Sequence, residues 1–92
     1  MDASTILGLV KAKIGLSGSV RDTYITAIIN GVIEELKDEK GLKLDGDSPH
    51  HLIFIVDYVT WRYQSRDTDG AMPRHLQYRL HNLIIHNGGD TS

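Results

Sequence analysis

Apolar residues recur at spacings of three and four along most of the chain, which is the period of an amphipathic helix. In the first such stretch the apolar positions are Ile6, Leu7, Leu9, Val10 and Ile14. The pattern predicts a short helix from about Ala3 to Lys13. Gly15 follows it, and glycine commonly ends a helix because it adopts the left-handed conformation without strain.

A second, longer helix is predicted up to about Glu39. Its apolar positions are Tyr24, Ile25, Ile28, Ile29, Val32, Ile33 and Leu36. Ser19 and Asp22 have the spacing of a capping box, in which a serine caps the first turn and an acid three residues later bonds back to it. Isoleucine and valine are also common in strands, but a length of about twenty residues and the charged segment 34–38 favour a helix. Gly41 is expected to end it.

The two prolines mark the starts of two further helices, because proline is favoured in the first helical turn. Ser48 and Pro49 predict the cap and the first position of a third helix. This helix contains the apolar and aromatic residues Leu52, Phe54, Ile55, Val56, Tyr58, Val59, Trp61 and Tyr63. Pro73 opens a fourth helix, in which one face carries Leu76, Leu80, Leu83 and Ile84.

The expected fold is all-α, a small bundle of four helices with two mobile polar loops at 40–47 and 65–72. We expect a single domain over residues 1–86 and a flexible tail at 87–92, which is rich in glycine and small polar residues. The second and third helices should form the centre of the bundle. The expected core residues are Ile25, Ile28, Ile29, Val32, Leu52, Ile55, Val56, Val59, Leu80 and Leu83.

Composition narrows the class of protein. The 92 residues are 40% apolar and 24% charged, which is typical of one globular domain. The sequence contains no cysteine, which excludes disulfides, thiolate metal sites and cysteine nucleophiles. The longest apolar run, Leu52 to Val56, is far shorter than the ~20 residues of a membrane span, and the N-terminus lacks the pattern of a secretory signal. We expect a soluble intracellular protein that does not bind membranes.

Candidate catalytic and metal-binding residues do not form a recognised motif. None of the five histidines is four residues from another, the spacing that zinc-binding helices use. Asp67, Asp69 and Gly70 resemble the start of a calcium loop, but the glutamate expected at its twelfth position is missing. The adjacent Glu34 and Glu35 favour a solvated charged face over a facing acid–base pair. The sequence therefore predicts no enzyme, metal or cofactor.

The fourth helix has a polar face with two arginines and no acid. Its members are Arg74, His75, Gln77, Arg79, His81, Asn82 and His86. One interpretation is the solvated side of an amphipathic helix. Another is a docking surface, since arginine and aromatic residues are enriched at protein interfaces. A third is a recognition helix in the major groove of DNA. The net charge of −2 weighs against the third interpretation.

Three segments of the chain together resemble a known family. They are Ser19–Asp22 after the short first helix, Asp57–Gln64 around Trp61, and Met72–Asn82. These segments are similar to the small head–tail connector (adaptor) proteins of tailed bacteriophages and prophages, and the similarity extends over almost the whole chain. The resemblance implies an all-helical protein that assembles as a ring, commonly dodecameric, beneath the portal, with no catalytic residues and no cofactor.

The resemblance also implies a location and partners. The protein would be made in the bacterial host cytoplasm and would lie at the head–tail interface of the virion. Its ring would bind the portal protein and a stopper or tail-completion protein, and phage DNA would pass through the lumen. A small helical DNA-binding domain is the alternative function.

The residues expected at the interface with the portal or a neighbouring subunit are Arg74, His75, Arg79, His81, Leu42 and Leu44. Arg74 and Arg79 should point outward and be dispensable for folding, because the leucine face attaches the fourth helix to the bundle. Leu42 and Leu44 alternate with Lys43 as in a short strand, which could pair with a neighbouring subunit.

Overall fold

The third helix is the central element of a small four-helix bundle. A computed structural model of the chain describes residues 2–45, 47–66 and 70–88. Its helices are α1 (Ala3–Ile14), α2 (Asp22–Glu34), α3 (Pro49–Gln64) and α4 (Arg74–Gly88), and a π-helical turn, Glu35–Glu39, continues α2. Within the described ranges there is no strand. The prediction of an all-α bundle of four helices is confirmed.

Local sequence explains most helix ends. Asp2 caps α1, because its carboxylate accepts hydrogen bonds from the Ser4 backbone N–H at 3.1 Å and from the Thr5 hydroxyl at 3.0 Å. Gly15 ends α1 at a φ of 78°, as predicted. The Ser48 hydroxyl accepts from the backbone N–H of the third residue of α3 at 3.4 Å, and Pro49 is the first residue of that helix, again as predicted.

The start of α2 differs from the prediction. The residue preceding the helix is Arg21, which makes no side-chain capping bond. The backbone N–H of Asp22 donates to the Ser19 carbonyl at 3.2 Å, so residues 19–22 form a turn. The predicted capping box at Ser19 is wrong because the helix begins three residues later. The Asp22 carboxylate lies 2.8 Å from the ammonium of Lys11 on α1 instead.

The end of α2 widens into the π-helical turn before the chain reverses. The backbone N–H of Lys40 donates to the Glu35 carbonyl at 3.2 Å, and that of Leu42 donates to the Leu36 carbonyl at 2.9 Å. Gly41 lies between them at a φ of 67°, a left-handed conformation that favours glycine, and it ends the helix as predicted. This reversal turns the Leu42 side chain back into the core.

Helices α1, α2 and α3 pack against one another, whereas α4 contacts α3 alone among the described helices. The residues Ile25, Ile29, Val32, Ile55, Val56 and Val59 are buried as predicted. The predicted core residues Ile28, Leu52, Leu80 and Leu83 are only partly buried and pack at the margin of the core. The core also contains Ile6, Val10, Leu36, Leu42, Phe54, Tyr58, Tyr63 and Leu76. Helix α1 contributes Ile6 and Val10 to the core because it packs against both α2 and α3.

The two predicted loops and the predicted tail are described in part. Leu42 anchors the loop 40–47 to the core, since its side chain is only 3% exposed. The mobility of both loops stays a prediction, and residues 67–69 of the second loop lie outside the described ranges. Helix α4 continues to Gly88, two residues into the segment expected as a tail, and residues 89–92 lie outside the description.

Burial predicts how two isoleucines differ in their contribution to stability. Ile55 is fully buried and Ile28 only partly, so Ile55→Ala should lower the free energy of unfolding by about 2–5 kcal/mol and Ile28→Ala by clearly less. Urea denaturation of the two variants measures both values. Equal losses would contradict the placement of Ile28 at the margin of the core.

Candidate functional site

The outer face of α4 is an exposed polar surface, and the sequence predicts it as a candidate interface. Arg74, His75 and His81 are exposed on it, as expected for interface residues. Tyr78 lies on the same helix with 68% of its surface exposed. The described helix contains no acidic residue, so the charged and basic side chains of this face are arginines and histidines. The structure thus leaves these three predicted residues available to a partner.

Arg79 does not lie on this outer face in the way that was predicted. Its guanidinium donates to the Asp57 carboxylate of α3 at 2.6 Å, and its side chain is only 34% exposed. The same guanidinium lies over the Phe54 ring, 5.4 Å from the ring centroid. Arg79 therefore attaches α4 to α3, and the prediction that it points outward is wrong. That it is dispensable for folding stays a prediction.

The Asp57 carboxylate joins three helices. One oxygen accepts from Arg79 of α4, and the other accepts from the ammonium of Lys13 on α1. Partial burial disfavours the charged carboxylate, but the hydrogen bonds and charges of the two cations outweigh it and lower the pKa of Asp57 below its ordinary value. The ionised form of Asp57 is therefore favoured, and it holds both cations in place.

Leu42 and Leu44 are not available as an edge strand. Leu42 is buried in the core of its own chain, and its backbone N–H is bound to the Leu36 carbonyl. Leu44 is half-buried and packs against the same core. The prediction that Leu42 contacts a neighbouring subunit is wrong, because its side chain and its amide are already used within the bundle.

A groove of about 430 Å³ lies between α4 and the first half of α3. Its lining residues are Ser48, His50, His51, Ile53, Phe54, Arg79, Asn82 and Leu83. The buried His51 ring is oriented by the backbone N–H of Asp45, which donates to its Nδ1 at 2.9 Å. Ile53 is an unusually exposed isoleucine, at 55%. The groove therefore combines an apolar floor with an arginine and two histidines.

A second polar cluster joins the π-helical turn to α3. The Tyr58 hydroxyl donates to one Glu35 carboxylate oxygen at 2.5 Å, and Arg62 donates to the other at 3.2 Å and to the Tyr58 hydroxyl at 3.0 Å. Burial and the hydrogen bond to Glu35 raise the pKa of Tyr58 to about 12. Tyr58 therefore remains protonated at neutral pH and acts as a hydrogen-bond donor rather than as a base.

A third cluster lies where α2 begins, near the end of α3. The Arg21 guanidinium donates to the Tyr63 hydroxyl at 2.6 Å, and the Tyr24 and Tyr63 rings are 6.1 Å apart. The Arg66 guanidinium lies over the Tyr63 ring, 4.3 Å from its centroid, and donates to the Tyr63 carbonyl at 2.6 Å. The hydrogen bond from Arg21 and the ring contact of Tyr24 attach the turn at 19–22 and the start of α2 to α3.

Sequence reasoning missed the residues that make these clusters. Asp57, Tyr58 and Arg62 lie on the helix that was treated as an apolar core element, and Glu35 was assigned to a solvated face. A signal existed in the helical spacing, because residues 58 and 62 are four apart and share a face. Their partners come from other helices, at separations that no local pattern encodes.

The described ranges offer no metal site and no membrane-spanning helix. Among them, no group of three or more histidine, aspartate or glutamate side chains could hold a metal ion. None of their helices combines the length and the hydropathy needed to cross a bilayer. The calcium-like residues Asp67 and Asp69 lie outside these ranges.

Comparison with known proteins adds no relative. No protein-family model matches the chain, and neither the curated proteins nor the solved structures contain a significant match. The functional interpretation therefore depends on the residues and contacts described above.

The two ion pairs of Asp57 predict a pH-dependent contribution to stability. Asp57→Asn should lower the free energy of unfolding at pH 7 by about 1 kcal/mol, since the carboxylate is largely but not fully removed from solvent. Because the pKa of Asp57 is lowered on folding, its contribution is complete above the unfolded pKa of about 4 and disappears as the pH falls below it.

Denaturation curves between pH 7 and pH 2 check this prediction. The stability difference between the parent protein and Asp57→Asn should narrow below about pH 4. Asp38→Asn is the matched control, since Asp38 is exposed in the π-helical turn and should show little pH-dependent difference. A gap for Asp57→Asn that stays constant down to pH 2 would contradict the ion-paired carboxylate.

Proposed function

We propose that the protein is a structural head–tail connector of a tailed bacteriophage or prophage. In this proposal it assembles as a ring beneath the portal, binds a stopper or tail-completion protein on the tail side, and surrounds the channel through which DNA passes. The observation that carries the proposal is the position of α4, which contacts α3 alone among the described helices and presents an exposed, acid-free outer face.

The chemistry of that face suits a protein partner with acidic groups. Arg74 presents a guanidinium, whose planar array of donors matches a carboxylate, and Tyr78 adds a large exposed ring. Arginine and tyrosine are enriched where interfaces gain most of their affinity. Since Leu76 and Arg79 hold α4 to α3, the outer residues are not needed for that attachment. They can therefore serve docking without a cost in stability.

A ring also requires a second, different surface on each subunit, because a head-to-tail contact joins two unlike patches. The segments that do not pack against α4 expose apolar side chains that lie outside the buried core. These are Leu9 of α1, Val20 of the turn before α2, and Tyr24 of α2. Val20 is 95% exposed, which is unusual for a valine in an isolated domain. Contact between one or more of these exposed side chains and a neighbour is part of the proposal.

A helical DNA-binding domain is the second candidate, and the same acid-free face of α4 favours it. In that case Arg74 would contact phosphates rather than carboxylates. The two functions differ in salt dependence and in partner. Sedimentation of the protein with portal-bearing phage heads tests the first, and a duplex-DNA mobility shift at several salt concentrations tests the second. Position of the gene between portal and tail genes would support the connector independently.

Charge reversal at Arg74 should separate docking from folding. Arg74→Glu should leave the helix content and melting temperature nearly unchanged, because the side chain is exposed, and should weaken docking onto portal-bearing heads by about tenfold or more. The matched control is Lys43→Glu, which reverses one exposed cation in the loop before α3. Co-sedimentation with the heads measures the difference. Docking by Arg74→Glu that equals the control, with only duplex binding lost, would refute the connector proposal for this face.

A further inference from the structure

The groove between α3 and α4 has the size and the lining of a ligand site, independently of the proposed function. Its volume of about 430 Å³ lies within the range of 300–1,000 Å³ that is usual for ligand pockets. The exposed Ile53 forms one edge, the Phe54 ring lies at the floor, and Leu83 of α4 faces them. Ile53 and Leu83 provide apolar surface that solvent can reach, whereas Phe54 is only 1% exposed.

Among the described residues that line the groove, Arg79 is the permanently charged side chain, and none is a carboxylate. The loop acids nearest in sequence are Asp45 and Asp47, and the carboxylate of Asp45 accepts from the backbone N–H of Asp47 at 2.9 Å. The groove is therefore complementary in charge to a carboxylate.

Arg79 is oriented for such a ligand before it binds. Asp57 accepts from one terminal nitrogen of the guanidinium, and Phe54 supports the planar group from below. Lys13 shares the same carboxylate, so two cations face one anion and the cluster retains a net positive charge. The second terminal nitrogen of Arg79 has no acceptor among the described residues. An arginine held by an acidic neighbour loses little side-chain entropy when it binds a carboxylate.

We propose that this groove binds a short peptide segment of a partner protein in which an acidic residue lies next to apolar ones. The carboxylate pairs with Arg79 and His50, and the adjacent apolar side chains pack against Ile53 and Leu83. The first half of α3 from His50 to Phe54 rises about 6 Å, and an extended chain covers about 3.3 Å per residue, so the groove accommodates about two to three residues.

The test uses the full chain, labelled with ¹⁵N, and the blocked pentapeptide acetyl-Leu-Glu-Leu-Glu-Leu-amide. Titration should shift the amide resonances of Ile53, Phe54 and Leu83 in a saturable manner. The peptide in which glutamine replaces both glutamates should bind about tenfold more weakly, as expected for loss of a charged hydrogen bond. The peptide in which serine replaces the leucines should also bind more weakly.

Variants locate the site. Ile53→Ser changes an exposed side chain, so the protein should stay folded while affinity for the acidic peptide falls severalfold. Arg79→Lys keeps the positive charge but removes the planar donors, and it should weaken binding as well. Tyr78→Ser, on the same helix but outside the groove lining, is the matched control and should bind like the parent protein.

Four outcomes overturn the proposal. The first is no saturable shift up to about 5 mM peptide, well above the Kd of a weak complex. The second is equal affinity for the glutamine peptide. The third is an equal response of the same amides to inorganic phosphate, which would indicate a general anion site. The fourth is a change of these resonances on dilution of the protein alone, which would show that a second copy occupies the groove. None of these results depends on ring formation or on docking to the portal.

Discussion

The Asp57 carboxylate connects the parts of this structure that would otherwise be separate. It lies on α3. One of its oxygens accepts a hydrogen bond from Lys13 of α1, and the other accepts one from Arg79 of α4. Apolar packing alone is non-directional and would allow α4 to slide or rotate on α3. The hydrogen bond between the Arg79 guanidinium and the Asp57 carboxylate is directional, so it restrains both the position and the rotation of α4. The outer face of α4 and the groove beside it therefore owe their geometry to one acidic residue.

The central position of α3 explains why so few of its side chains are available for function. Eight of its residues are buried, and α1, α2 and α4 all pack against it. Its polar residues are consequently used as connectors between helices. Asp57 holds α1 and α4, Tyr58 and Arg62 hold the π-helical turn, and Tyr63 holds the turn before α2.

Local sequence predicted the features that local physics determines. The apolar period identified all four helices, and Gly15, Gly41 and Pro49 occupy the positions that their backbone preferences require. The outward position of Arg74 followed from the same period. Arg79 and Leu42 were placed wrongly because their surroundings are set by distant residues. Asp57 is 22 residues from Arg79, and the core that receives Leu42 is assembled from all four helices. The π-helical turn has no local signature that distinguishes it from an α-helical one.

The attachment of α4 to a single neighbour has a consequence for the energetics of the native state. Detaching α4 exposes Leu76 and breaks the Arg79 ion pair, but it leaves the contacts among α1, α2 and α3 intact. The opening of this helix is therefore a partial unfolding event with a smaller free energy than global unfolding. Its amide protons should exchange with solvent through that opening, ahead of those in α3. A partner that binds α4 in its packed position would suppress this opening. Its binding free energy would add to the free energy needed to detach α4 from α3.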